Sequence, residues 1–156
     1  MNNPAATPST TSPQAGLLEP LFASRPELWT RFNAFYDSLW TSGHISRRVL
    51  EICRLRIAAI HGCDRDWRFR TADVFLTEAE IAALHGGTFS IFDHCERAAL
   101  DLTEKFPFQH HAITDAEVKA VEDGYGSAAA VALLTAVAFF DVRCRWQQVL
   151  TPSAST

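Results

Sequence analysis

The sequence has few lysines, no closely spaced cysteine pair and no convincing strand pattern. Only two of its 156 residues are lysine and the net charge is −4, which argues against a broad basic surface for nucleic acid or anionic lipid. The four cysteines form no C-x-x-C pair, and they are too few for a secreted disulfide scaffold of this length. We therefore expect reduced thiols in a cytoplasmic protein, and no nucleic-acid partner.

A signal peptide and a long apolar run are also lacking. The N-terminal segment is rich in Pro, Ser, Thr and Ala, with neither a basic nor an apolar stretch. Because this composition cannot support a core, we expect residues 1–20 to form a disordered tail, and residues 151–156 likewise. The most apolar run, Ala128–Phe140, has 13 residues, whereas a membrane span needs about 18–20. It predicts a buried helix, not a membrane anchor.

Helical periodicity and capping signals fill the rest of the chain and predict one all-α domain over residues 21–150. Ser46 and Gly62 are placed to begin and end a helix over 47–61. The next helix, over about 64–75, is expected to pack antiparallel on it as the central pair of the bundle. The predicted helices cover about 25–41, 47–61, 64–75, 77–86, 91–105, 114–124 and 127–150.

Residues 47–70 carry the most uneven charge of the chain. Seven arginines and three acids give this segment a net charge of +4, in a chain that is −4 overall. Glu51, His61 and Cys63 lie in the same segment. Charge of one sign next to a thiol, an imidazole and a carboxylate of buried character makes this the best place to look for a functional site.

The segment from Glu51 to Cys63 reads E-x-x-R-L-R-I-A-x-x-H-G-C. It resembles the carboxymuconolactone decarboxylase and alkylhydroperoxidase AhpD-like family. The last helix, which is rich in small residues and ends in Arg145-Trp146, also fits, and the resemblance covers about residues 28–150. It implies an AhpD-like helical bundle that assembles as a homo-oligomer, a trimer or a hexamer.

The chain departs from the redox branch of that family. That branch carries C-x-x-C, then a His four residues beyond the second Cys; here those positions hold Asp66 and Arg70. The resemblance therefore implies catalytic roles only for Glu51 and Cys63. No spacing of Cys, His and acidic residues is typical of a metal site, so we expect no metal and no other cofactor.

Each candidate catalytic residue allows two interpretations. Cys63 is either a reactive thiol, whose pKa the helix N-terminus and Arg65 would lower, or a small apolar residue packed at a turn. His61 is either a general base beside Cys63 or a residue that favours the negative end of its helix. The other three cysteines are expected to be core residues, and these are Cys53, Cys95 and Cys144.

The arginines also allow two interpretations. Arg65, Arg68 and Arg70 could bind a planar carboxylate, with Trp67 as a wall of the pocket, or they could pair with acids of neighbouring helices. At about 1.5 Å per residue, Glu51 lies about 15 Å below His61, level with residues 70–73 of an antiparallel partner. We therefore expect an ion pair between Glu51 and Arg70.

Three functional classes follow from these patterns. The favoured one is a non-redox lyase of the carboxymuconolactone decarboxylase type, acting by proton transfer on a small anionic lactone or carbonyl compound. It would use Glu51 or His61 for proton transfer and the arginines for binding. The alternatives are a thiol peroxidase that uses Cys63 and a non-catalytic oligomeric binding protein.

Overall fold

The computed structural model describes residues 18–150, which form an all-α bundle with no strand among them. A 3₁₀ turn at Glu19–Phe22 precedes the bundle, and a second one at His110–Ala112 connects two of its helices. The seven α-helices are α1 Pro26–Thr41, α2 Arg47–His61, α3 Asp64–Arg68, α4 Glu78–Gly86, α5 His94–Gln109, α6 Asp115–Tyr125 and α7 Ser127–Leu150.

Helix α2 is the centre of the bundle and packs against α3, α4, α5 and α7. Its bounds are those predicted from the sequence. The Ser46 side chain accepts a hydrogen bond from the backbone of Val49, and Gly62 ends the helix in the left-handed conformation at φ 61°. Every residue from Val49 to Ala58 is buried, including the charged ones.

The arginines of α2 tie it to the helices around it. Arg48 donates to both Glu80 of α4 and Glu96 of α5. Arg56 donates through Nε and Nη2 to the carboxylate of Glu104 on α5, at 2.5 and 2.8 Å. A charged group inside the fold must be paired to offset its desolvation, so these contacts fix how α4 and α5 sit on α2.

Helix α3 is much shorter than the sequence predicted. The helix expected over 64–75 ends at Arg68, and Phe69 is already extended at ψ 142°. The backbone after it has other partners: the guanidinium of Arg54 donates to the carbonyl oxygens of Asp66 and Phe69 at 2.6 and 2.9 Å. The 64–75 part of the expected central pair is therefore a short helix followed by non-helical chain, with a turn that the hydrogen bond from the backbone N of Val74 to the carbonyl oxygen of Thr71 closes.

Helix α5 also differs at both ends from the prediction of 91–105. Its N-cap is Asp93, because Asp93 and Glu96 form a reciprocal capping box with the backbone. At its other end the helix continues through Pro107 to Gln109. The capping box that Thr114 forms with Glu117 at the start of α6 is confirmed.

The folded part of the chain begins before residue 21. Leu18 is fully buried and packs with Trp29 of α1, so residues 18–20 belong to the fold and not to the tail. The disorder expected for the rest of the N-terminal tail and for residues 151–156 lies outside the described residues.

Helix α7 is longer than its apolar run, because amphipathic residues continue it beyond Phe140. By length and composition alone it could cross a membrane, although 44% of its most apolar window is buried inside the structure. A buried core helix of a soluble protein has the same composition. The expectation that no segment crosses a membrane stays a prediction.

Close packing between α5 and α6 gives a direct test of the fold. A Cβ at Gly124 would lie 2.9 Å from Sγ and 3.2 Å from Cβ of Cys95, whereas a Cβ at Gly86 would meet nothing closer than 4.0 Å. We expect Gly124→Ala to lower the free energy of unfolding by about 1–3 kcal/mol through overpacking. Gly86→Ala, also in a helix, should leave it equal or raise it by up to about 1 kcal/mol. Urea unfolding of both variants decides; equal effects would contradict the packing of α5 on α6.

Candidate functional site

Glu51 is held in a closed set of hydrogen bonds on α2. Its carboxylate accepts from Nε and Nη2 of Arg54, each at 2.8 Å, and from the backbone N and Oγ1 of Thr71 at 3.1 and 2.8 Å. The side chains of Glu51 and Arg54 are 1% and 0% exposed. Burial raises the pKa of Glu51, but the hydrogen bonds from Arg54 and Thr71 outweigh it and hold the pKa below the usual value. Glu51 is thus a saturated, ionised carboxylate.

The expected ion pair between Glu51 and Arg70 is wrong. Glu51 does lie at the depth of residues 70–73, but it meets Thr71 there, and Arg54 on its own helix supplies the cation. The guanidinium of Arg70 donates instead to the carbonyl oxygens of Trp67 and Phe69 and lies 5.1 Å from the ring centre of Trp67. A guanidinium three residues away on the same helix can reach the carboxylate with two parallel hydrogen bonds, which is the stronger geometry.

The expected carboxylate-binding set is only partly brought together. Arg70 and Trp67 are in contact through the guanidinium and the ring. Arg65 and Arg68 are exposed on α3. We expected these arginines to pair with acids of neighbouring helices as one alternative. Arg70 instead donates to the carbonyl oxygens of Trp67 and Phe69 at the C-terminal end of α3.

His61 faces α5 and α7. Its Nε2 lies 2.6 Å from Oδ1 of Asp141, whose other oxygen accepts from Nε of Arg145 at 2.9 Å. The imidazole is 4% exposed and its ring centre is 5.3 Å from that of Phe108. This is an imidazole oriented by a carboxylate, an arrangement that favours acid–base chemistry.

The sequence interpretation missed a cluster formed by Cys63, Asp66 and Cys144. The two Sγ atoms and a carboxylate oxygen of Asp66 all lie within 4.8 Å of one another. Cys63 is the N-cap of α3 and Cys144 lies in α7, and the three residues are 4%, 1% and 1% exposed. Asp66 occupies the position of the second cysteine in the redox branch that the sequence resembles, and a second thiol reaches the site from α7 instead.

Polar groups of α7 and α1 surround this cluster. Oε1 of Gln147 lies 3.4 Å from Sγ of Cys63, and Nη2 of Arg143 lies 3.5 Å from Oδ1 of Asp66. The Arg143 guanidinium also lies 4.6 Å from the ring centre of Tyr36, whose pKa burial raises to about 12.

The two thiols influence each other. A hydrogen bond from Cys144 lowers the pKa of the Cys63 thiol, against the effect of burial. The same hydrogen bond and burial raise the pKa of Cys144. When one of the two sulfurs is deprotonated, the negative charge therefore resides on Cys63 and the proton on Cys144. The positive charge of Arg143, whose guanidinium lies 3.5 Å from Asp66, also lowers the pKa of Cys63.

One sequence signal could have pointed to Cys144. Arg143 and Gln147 are buried polar residues on either side of it, in a helix that is otherwise apolar on its inner face. Such residues need partners inside the fold. The sequence does not say which partners, because these lie about 80 residues earlier in the chain.

Comparison with models of known protein families, with curated proteins and with solved structures finds no match to this chain. The AhpD-like resemblance therefore stays a prediction from the segment 51–63.

The buried pair of Glu51 and Arg54 gives a test of stability. Glu51→Gln leaves the guanidinium of Arg54 uncompensated inside the fold, and we expect a loss of about 3–5 kcal/mol in the free energy of unfolding. Because the folded-state pKa of Glu51 is lowered, its contribution is complete above the usual value of 4.5 and is lost as the pH falls through the folded pKa. The variant should therefore lose less stability than the wild type below that pH.

Chemical denaturation at neutral and acidic pH measures both effects. Glu19→Gln, a change at an exposed acid of the first 3₁₀ turn, is the control and should change neither the stability nor its pH dependence appreciably. An equal, small effect of the two substitutions would contradict the buried pair.

Proposed function

We propose that this chain is a thiol-dependent enzyme that reduces hydroperoxides through a dithiol–disulfide cycle between Cys63 and Cys144. The observation that supports it is the approach of the two buried sulfurs to within 4.8 Å, from helices far apart in the sequence. Two thiols at this separation need only a small movement to form a disulfide, whose S–S length is about 2.05 Å. A thiol peroxidase that uses Cys63 is one of the alternatives that the sequence predicts. The second cysteine, Cys144, is a further part of the proposal that the sequence does not indicate.

The chemistry takes place in two steps. In the first, the thiolate of Cys63 attacks the terminal oxygen of the hydroperoxide; an S–O bond forms and the O–O bond breaks. The departing alkoxide takes up the proton that Cys63 released on ionising and leaves as an alcohol. In the second, the sulfur of Cys144 attacks that of Cys63; an S–S bond forms, and hydroxide leaves with the proton of Cys144 as water. The two thiols supply two electrons, and an external dithiol restores them.

The surrounding groups suit these steps. The negative charge of Asp66 raises the pKa of Cys63, and the positive charge of Arg143, 3.5 Å from that carboxylate, acts against this effect. Cys63 is the N-cap of a helix of only five residues, and we expect a small peroxide to reach the sulfur through local opening at that turn.

Oxidation followed by peptide mapping tests this function. After treatment of the reduced protein with a hydroperoxide, digestion without reductant should yield a Cys63–Cys144 cross-linked peptide. Cys144→Ser should stop at a sulfenic acid on Cys63, and Cys63→Ser should abolish peroxide consumption supported by an added dithiol. Cys95→Ser is the matched control and should leave both reactions unchanged. Peroxide consumption that persists in Cys63→Ser would contradict the proposal.

A second candidate is the non-redox lyase that the sequence favours. The observation on its side is the pair of His61 and Asp141, an oriented imidazole that could move a proton on a small anionic lactone or carbonyl compound. Its substrate would be bound by Arg65, Arg68 or Arg70. Glu51 takes no part in this version, since its oxygens are saturated by Arg54 and Thr71.

Turnover of a panel of small carboxylated lactones separates the two candidates. A lyase should lose about 10²–10⁴-fold in rate on His61→Gln and be indifferent to Cys63→Ser. His110→Gln, at an exposed histidine, is the control. A ligand-induced rise in melting temperature without turnover of either substrate class would favour the non-catalytic binding protein. In all three cases we retain the prediction of a homo-oligomer.

A further inference from the structure

We propose that Cys63, Asp66, Cys144 and Gln147 form a binding site for one thiolate-preferring divalent cation of the Zn²⁺ type. The proposal shares two sulfurs with the dithiol described above but does not depend on their redox activity. It differs from the sequence analysis, which predicts no metal.

The four residues form two pairs with the same spacing. Cys63, the N-cap of α3, precedes Asp66 by three residues, and Cys144 precedes Gln147 by three residues on α7. Residues at this spacing lie on one face of a helix. The site therefore has the form of two facing C-x-x-ligand pairs, the same pairing by which structural zinc sites gather their ligands.

The distances between the ligand atoms are close to those of a tetrahedral site. Sγ of Cys63 lies 3.4 Å from Oε1 of Gln147, and Sγ of Cys144 lies 3.9 Å from Oδ2 of Asp66. With Zn–S near 2.3 Å and Zn–O near 2.1 Å, neighbouring sulfur and oxygen ligands should be about 3.6 Å apart. The Sγ atoms are within 4.8 Å of each other, and two sulfur ligands of a tetrahedral zinc ion are about 3.8 Å apart.

Burial and charge also fit a cation. All four side chains are more than nine-tenths buried. Two thiolates and one carboxylate carry three negative charges, which a divalent cation and the guanidinium of Arg143, 3.5 Å from Asp66, would balance.

Gln147 provides a second, independent observation. It lies 5% exposed, and its Nε2 has no hydrogen-bond partner among the described residues. Its oxygen is on the side of Cys63. That oxygen accepts from the thiol of Cys63 in the metal-free protein. When Cys63 loses its proton to become a ligand, the buried oxygen loses this donor, and a bound cation would take the donor's place.

The ligand set selects the class of metal. Thiolates favour Zn²⁺ and similar ions, whereas Mg²⁺ and Ca²⁺ require oxygen ligands. Four protein ligands leave no open position for a substrate, so a bound ion would be structural or regulatory and not hydrolytic. Since both sulfurs would be ligands, metal binding and disulfide formation exclude each other.

Cobalt titration of the reduced protein is the first test. We expect a thiolate-to-cobalt charge-transfer band that saturates at one ion per chain, is lost on addition of Zn²⁺ and is unaffected by Mg²⁺. In wild-type protein, Zn²⁺ should also protect Cys63 and Cys144 from a small alkylating reagent while the half-buried Cys95 reacts as before. Absence of the band, or protection of Cys95 alone, would overturn the site.

Variants distinguish this proposal from the redox function. Asp66→Asn keeps both sulfurs, so it should weaken Co²⁺ binding more than about 10-fold and still form the Cys63–Cys144 disulfide. Asp64→Asn, at the exposed acid two residues earlier, should bind Co²⁺ like the wild type. If Asp66→Asn does not fold, Gln147→Leu removes the ligand oxygen without supplying another ligand atom and should weaken binding likewise.

The two proposals can fail separately. An unchanged cobalt band in Cys144→Ser would overturn the metal site and leave the disulfide assay as it stands. A cobalt band in a protein that forms no disulfide with peroxide would support the metal site and refute the dithiol cycle alone.

Discussion

The fold depends on charged groups that lie inside its central helix. Glu51 and Arg54 are both essentially inaccessible to solvent, and neither could remain there alone. The guanidinium of Arg54 donates hydrogen bonds to the carboxylate of Glu51 and to the carbonyl oxygens of Asp66 and Phe69. The two residues thus neutralise each other's buried charge. Through Arg54 they also hold the chain at Asp66 and Phe69 against α2.

The hydrogen bonds from Arg54 to this chain position the candidate site. Because the carbonyl oxygens of Asp66 and Phe69 accept from Arg54, the chain leaves the helical path after Arg68. The short α3 that remains presents Cys63 and Asp66 toward α7, where Cys144 is placed to meet them. The chemistry of the site therefore rests on a structural ion pair that does not itself face a substrate.

Local signals allowed most of the helices to be predicted. Ser46, Thr77 and Thr114 each accept a backbone hydrogen bond at the start of a helix, as their sequence context indicates. The errors occur where a distant partner decides. Nothing near residue 69 shows that its carbonyl oxygen is taken by Arg54, and so the helix after Cys63 was predicted too long. The Glu51–Arg70 pair failed for a related reason, because it was inferred from that longer helix.

The sequence indicates one side of the candidate site, the segment that holds Cys63, but not the other side, which α7 supplies. Cys63 and Glu51 were singled out by the resemblance of their segment, but Cys144 was placed among core residues, since an apolar helix gives no sign of which partner a buried thiol meets. Periodicity identifies the buried face of a helix; it does not identify the residue on the other side.

The separation of Cys63 from Cys144 along the chain has a thermodynamic consequence. A covalent or metal-mediated link between them would close a loop of about 80 residues. In the loop-closure model, the entropy that the unfolded chain loses would raise the free energy of unfolding by about 4–5 kcal/mol. That is a large share of the stability of an ordinary domain, about 5–15 kcal/mol. The state of two sulfur atoms would then set how firmly the last helix is fastened to the rest of the molecule.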